Sequence, residues 1–84
     1  MMKLQITFGH LERVLADIGF DKKTSRASAV VYKRLVTGTT LIVSLHQPGD
    51  QVPDFVLASI RHHLELKEEV SADAFDEMLQ AIAA

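Results

Sequence analysis

The chain has four histidines and no cysteine. Imidazole is therefore its side chain best suited to proton transfer near neutral pH. His46 is the most informative of the four, since it ends an apolar run, follows a region of positive charge and precedes a loop. There an imidazole could act as a general base or hold a phosphate. A single histidine at a strand end is nevertheless more often structural or solvated, and no neighbouring residue marks His46 as activated.

The other histidines do not predict a metal site. His62 and His63 are adjacent, so on a helix their side chains point about 100° apart. His10 and His62 fall on predicted outer helix surfaces, where a solvated imidazole is expected, and His63 borders a predicted buried stripe. Thiolate ligands are excluded because there is no cysteine. We therefore expect no metal and no cofactor.

Positive charge is concentrated in one part of the chain, although the formal net charge is -2. Between Asp21 and Gly38 that aspartate is the single carboxylate, and from Thr39 onward two cations face eight carboxylates. The cations of the first segment are candidate phosphate ligands together with His46, and an equally weighted alternative is that they protect the edges of short strands. They are Lys22, Lys23, Arg26, Lys33 and Arg34.

The β-rich run from Arg26 to His46 must position these side chains, and it predicts a hairpin that turns at Thr37-Gly38 or at Gly38-Thr39. Both turns sort the strands into the same two faces, because the two registers differ by an even number of residues. The predicted core face consists of Val30, Tyr32, Val36, Leu41, Val43 and Leu45. The predicted open face consists of Ala29, Val31, Lys33, Leu35, Thr40, Ile42, Ser44 and His46.

A helix over about Phe8 to Ile18 is predicted by an apolar stripe at three- and four-residue spacing. Thr7 is placed to cap it, and Gly19 followed by Phe20 predicts a Schellman ending. The short polar segment from Asp21 to Ser25 is then a candidate first edge strand.

Two further helices are predicted after a turn at residues 47–50. The first begins at Pro53 or Asp54 and ends among residues 67–69. Ser71 caps the second, whose apolar stripe either completes the core of this chain or docks onto a second copy. That stripe consists of Phe75, Met78, Leu79 and Ile82.

This order of elements predicts an α+β two-layer sandwich in which helices cover one face of a small antiparallel sheet. Eighty-four residues form one domain, 1–84, with 70–84 an appended C-terminal helix. A hydrophobic fraction of 48% and a charged fraction of 24% are typical of globular proteins, and we expect no membrane segment. The N-terminus lacks the pattern of a signal peptide, so we expect a cytoplasmic protein.

Taken together, these elements resemble the HicA family of bacterial toxin-antitoxin systems. Its members are small toxins with a fold similar to a double-stranded-RNA-binding domain (α-β-β-β-α), and they cleave messenger RNA until a HicB antitoxin neutralises them. The resemblance runs from Phe8 to about Leu66. Its matching parts are Leu11 and Leu15 before Gly19-Phe20, the strands at 28–32 and 41–46, and Val52-Pro53 opening a helix with Leu57, Ile60, Arg61 and Leu64.

The sequence departs from the family at the residue that would do the chemistry. The family's hallmark is Gly-Ser-His followed by an apolar and an aromatic residue, whereas this chain has Ala27-Ser28-Ala29 and then Val30, Val31 and Tyr32. Ala29 therefore stands at the position of the catalytic histidine, and losing a general base typically slows a reaction by about 10²- to 10⁴-fold. Three explanations remain open: natural loss of cleavage, transfer of the role to His46, or an engineered substitution.

The resemblance implies an RNA-directed toxin-antitoxin protein whose ribonuclease (mRNA interferase) activity is impaired or lost. On this hypothesis RNA is held by Lys22, Lys23, Arg26, Lys33, Arg34 and His46, and a HicB-like antitoxin is a partner. The alternative hypothesis is a non-enzymatic protein-interaction module that binds an antitoxin-like partner or self-associates through its C-terminal helix.

Overall fold

The computed structural model describes residues 5–24, 29–44 and 47–83, and its elements follow the predicted order of helix, three strands and two helices. They are α1 (Phe8–Ile18), β1 (Asp21–Thr24), β2 (Ala29–Lys33), β3 (Thr40–Ser44), α2 (Asp54–Leu66) and α3 (Ala72–Ala83). The strands form one antiparallel sheet in the order β1-β2-β3, which confirms the α+β class. Among these described strands β1 and β3 are the sheet edges.

Local signals set both ends of α1. The Thr7 hydroxyl accepts the backbone N–H of His10 at 3.3 Å, which satisfies one of the N–H groups left over at a helix start. At the other end Gly19 has φ 118, a left-handed conformation that glycine adopts without strain. Phe20 N–H then donates to the Leu15 carbonyl at 2.9 Å, and the predicted Schellman ending is confirmed.

The turn that precedes α2 also closes the start of α1. Phe8 N–H donates to the Asp50 carbonyl at 2.9 Å, and Gly9 N–H donates to the Pro48 carbonyl at 2.8 Å. These bonds satisfy two more N–H groups of the first helical turn. A Cβ on Gly9 would lie 3.1 Å from the Pro48 carbonyl oxygen, so the close approach of these two segments favours glycine.

The paired residues of β2 and β3 lie on the faces that the alternation predicts, whereas Leu45 and His46 lie outside the described residues. Val30 pairs with Val43 and Tyr32 pairs with Leu41, and all four side chains are buried. Residues that alternate with them project from the other face, where Ile42 remains 72% exposed. The sheet therefore buries one face beneath the helices and leaves the other in contact with solvent.

The position of the hairpin turn was predicted wrongly. Arg34 N–H donates to the Thr39 carbonyl at 3.0 Å, so four residues, 35–38, connect the strands rather than two. The sorting into faces is unaffected, because the observed register also differs from the predicted ones by an even number of residues. Val36 lies in the loop beyond the ladder and is 87% exposed, so its assignment to the core was wrong.

The last helix completes the core of this same chain. Phe75 and Leu79 of α3 are buried beside Ile60 and Leu64 of α2, and Met78 and Ile82 pack against the same cluster. Burying a side chain of this size contributes about 1.5–3 kcal/mol to stability. The apolar stripe of α3 is thus part of the core rather than a free surface. Within the described ranges, no helix is long and apolar enough to cross a membrane.

Candidate binding surface

The solvent-facing side of the sheet, here called the open face, brings residues from all three strands together. In the strand register Lys23 lies opposite Val31, which lies opposite Ile42. The next row on the same face holds Asp21, Lys33 and Thr40, and beyond the first row Ala29 lies opposite Ser44.

Ala29 lies on this face, as the alternation predicts. It is the first residue of β2 and is half-buried, with Ser44 opposite on β3. The resemblance to the HicA family would require a histidine here to accept a proton from an RNA 2′-hydroxyl. A methyl group has no lone pair to accept it, so position 29 contributes no acid-base chemistry.

Two of the candidate phosphate ligands share the open face with Ala29. Lys23 and Lys33 are both exposed there, and they are diagonal neighbours on adjacent strands, a relation that separates Cα atoms by about 7–8 Å. Asp21 lies directly opposite Lys33 and reduces the positive potential of this row. Among the described residues, the open face is therefore mixed in character and only weakly cationic.

Lys22 points to the other side of the sheet. It lies opposite the buried Tyr32, and its ammonium group forms an ion pair with the Glu12 carboxylate of α1. Burial, the charge of Glu12 and a hydrogen bond to Glu12 raise the pKa of Tyr32 far above its ordinary value. These three residues connect α1 to β1 and β2. Lys22 therefore has an ion-pair partner within the chain and does not lie on the open face.

Arg34 is likewise engaged within the chain. Its Nη1 donates to Glu69 Oε2 at 2.8 Å, and the Thr39 hydroxyl donates to Glu69 Oε1 at 3.3 Å. The Glu69 side chain is only 2% exposed. The hydrogen bond from Arg34 holds the pKa of Glu69 below its ordinary value, with smaller contributions from the Thr37 and Thr39 hydroxyls and the Arg34 charge. This cluster fastens the hairpin loop to the α2–α3 connection.

The remaining site candidates either lie elsewhere or fall outside the described residues. Arg26 and His46 belong to the latter group, so their roles stay predictions. His62 is exposed and His63 is half-buried, as expected. Across residues 5–24, 29–44 and 47–83 no group of histidines and carboxylates is arranged to hold a metal ion.

His10 has a role that the sequence reasoning missed. Its Nδ1 accepts the Thr7 backbone N–H at 3.1 Å, so the two residues form a reciprocal capping box. The signal was a hydrogen-bond acceptor three residues after a threonine cap, a position usually filled by glutamate or glutamine.

A groove between the edge of β3 and the start of α2 was also missed. It encloses about 480 Å³, and its lining includes the buried Phe8, Val43 and Ile60 and the exposed Ile42 and Phe55. Phe55 is 76% exposed. Helical periodicity places Phe55 off the buried stripe of α2, but only the packed structure brings it beside a strand edge.

Comparison with known proteins adds no assignment to this geometry. No family model, no curated protein and no solved structure matches the chain.

Proposed function

We propose that this chain is an RNA-directed protein of the HicA type, with a scaffold like that of a double-stranded-RNA-binding domain, that does not cleave RNA by the family's mechanism. The observation that carries the proposal is the position of Ala29 on the open face of a three-stranded sheet. In the resemblance this is where RNA would meet the catalytic histidine. A protein of this type would hold RNA and work with a HicB-like antitoxin.

The open face supports modest, charge-driven RNA binding. Lys23 and Lys33 are exposed on the side that carries Ala29, whereas Lys22 and Arg34 are held by Glu12 and Glu69. If each of the two open-face lysines neutralises one phosphate, log K should fall with log[salt] with a slope of about -1.4 to -1.8. A steeper slope would indicate that further cations, such as Arg26, also contribute.

Titration of a fluorescent RNA hairpin at two salt concentrations tests this binding. The double variant Lys23→Ala/Lys33→Ala should lose most of the salt dependence. Lys67→Ala is the matched control, because Lys67 is exposed at the end of α2, away from the open face. Absence of binding at low salt, or equal weakening by the control, would remove the RNA function.

Restoring an imidazole tests the cleavage part of the proposal. Ala29→His should degrade RNA ~10²- to 10⁴-fold faster than wild type, because a general base typically raises the rate by that factor. Val31→His is the control, because it places the imidazole on the same face about 6.6 Å further along β2. Degradation by wild type, or by both variants equally, would contradict the role assigned to position 29.

A second candidate function is a non-enzymatic protein-interaction module. The observation that favours it is the half-buried Val31 beside the exposed Ile42 in the middle of the open face, since exposed apolar surface is typical of protein contacts. Self-association through the α3 stripe is not supported by packing, because Phe75 and Leu79 are buried within the chain. Sedimentation analysis of wild type and Val31→Lys distinguishes the two: a dimer that this variant dissociates would favour the module.

A further inference from the structure

We propose that the edge of β3, together with the groove beside the start of α2, binds an extended apolar segment of another protein as a fourth strand of the sheet. The segment carries a basic residue at the end that meets Asp50. This binding site borders the open face, with which it shares Ile42, and it does not depend on the proposed RNA function.

The two edges of the sheet differ in how they are protected. β1 carries Asp21, Lys22 and Lys23, and charges of this kind discourage another strand from pairing with an edge. β3 has the sequence TLIVS, without a charge or a proline. An uncharged edge strand of β-branched and apolar residues is suited to strand addition.

The hydrogen-bond pattern of the hairpin shows which backbone groups face that edge. Arg34 N–H donates to the Thr39 carbonyl, and the bonded pairs of an antiparallel ladder alternate along the strands. Leu41 and Val43 therefore direct their N–H and C=O groups toward β2. Ile42, opposite Val31, directs its N–H and C=O away from β2, toward the side on which no described strand pairs with β3.

The groove provides side-chain contacts for one face of the added strand. Phe8, Val43 and Ile60 are each at most 7% exposed and form apolar surface within the groove. Ile42 and Phe55 are 72% and 76% exposed at its sides. Because side chains alternate along a strand, every second residue of the bound segment would contact this apolar surface.

The negative charge of the groove favours a basic peptide over RNA or a second copy of this chain. Among the described residues that line the groove, Asp50 is the only charged one, and Asp54 follows at the start of α2. The negative charge of Asp50 opposes the phosphates of RNA and favours a basic residue in the segment. A second copy of this chain would bring its uncharged β3, which offers no cation to Asp50.

The test uses a panel of fluorescent nine-residue peptides that alternate valine and threonine, with either arginine or glutamate at one end. We expect the arginine peptides to bind the wild-type chain and the glutamate peptides to bind at least 10-fold more weakly. In two-dimensional NMR, bound peptide should shift the amide signals of Thr40, Ile42 and Phe55 and slow hydrogen exchange at Ile42.

Phe55→Ser should weaken binding of the arginine peptides at least 10-fold. Leu66→Ser is its matched control: Leu66 is also on α2 and 67% exposed, but lies at the opposite end of the helix and outside the groove. Both sites are exposed, so both variants should fold, which circular dichroism checks.

Three results would overturn the proposal. One is that no arginine peptide binds at 1 mM, and another is that Phe55→Ser and Leu66→Ser bind equally well. The third is a dimer of the free chain with its β3 amides already protected, which would assign the edge to a second copy. Loss of RNA binding by Lys23→Ala/Lys33→Ala with unchanged peptide binding would separate the two sites.

Discussion

Replacing Glu69 by glutamine tests the polar cluster that joins Arg34 and Thr39 to the α2–α3 connection. The change keeps the size of the side chain and removes its charge, so Arg34 Nη1 loses a charge-assisted hydrogen bond of 2.8 Å. Hydrogen bonds to charged groups contribute about 1.5–3 kcal/mol. Arg34 is 29% exposed and can be partly hydrated after the change, so we expect Glu69→Gln to lower the free energy of unfolding by about 1–2 kcal/mol.

The pH dependence of this difference has a defined sign. The folded pKa of Glu69 is depressed, chiefly by the hydrogen bond from Arg34, so the stabilisation is complete above the unfolded pKa and is lost as pH falls through the folded pKa. Wild type and Glu69→Gln should therefore differ fully at pH 7. The difference should shrink below pH ~4.3, the ordinary value for glutamate.

Urea unfolding followed by circular dichroism at pH 7 and at several acidic pH values measures the effect. For a domain of this size a loss of 1 kcal/mol lowers Tm by about 4–8 °C. Glu77→Gln makes the same chemical change at an exposed position of α3, and we expect it to leave stability within about 0.5 kcal/mol of wild type. Equal stability of Glu69→Gln and wild type at pH 7, or a difference that grows on acidification, would refute the reasoning.

Three further substitutions probe the elements that set the fold, each measured by urea unfolding. Phe75→Ala should cost about 3–5 kcal/mol because it empties a site that is 1% exposed; a loss under 1 kcal/mol would place α3 outside the core. Gly19→Ala should cost at least about 1 kcal/mol, since φ is 118 and the added Cβ would lie 3.1 Å from Arg34 Nε. Thr7→Ala should cost about 1 kcal/mol through loss of the hydrogen bond from His10 N–H to the Thr7 hydroxyl. An unchanged urea midpoint for Gly19→Ala or for Thr7→Ala would contradict the role assigned to that residue at the end of α1.

The predictions about function depend on contacts that the sequence pattern does not contain. A run of lysines and arginines predicted a single cationic surface, but the structure places Lys23 and Lys33 on the open face and pairs Lys22 and Arg34 with carboxylates. Arg34 and Glu69 are 35 residues apart in the chain. Alternation along one strand assigns each residue to a face, yet it does not reveal which distant residue will neutralise its charge.

The sequence by itself determined the elements whose causes are local. Thr7, Gly19 and Ser71 set helix ends through hydrogen bonds within four residues or through φ, and the two-residue alternation of β2 and β3 set their faces. Only the tertiary structure decided the length of the loop between β2 and β3, the packing of α3 into the core of this chain and the groove beside Phe55. The reason is physical: caps and alternation depend on neighbours along the chain, whereas register, core closure and grooves depend on which separate elements pack together.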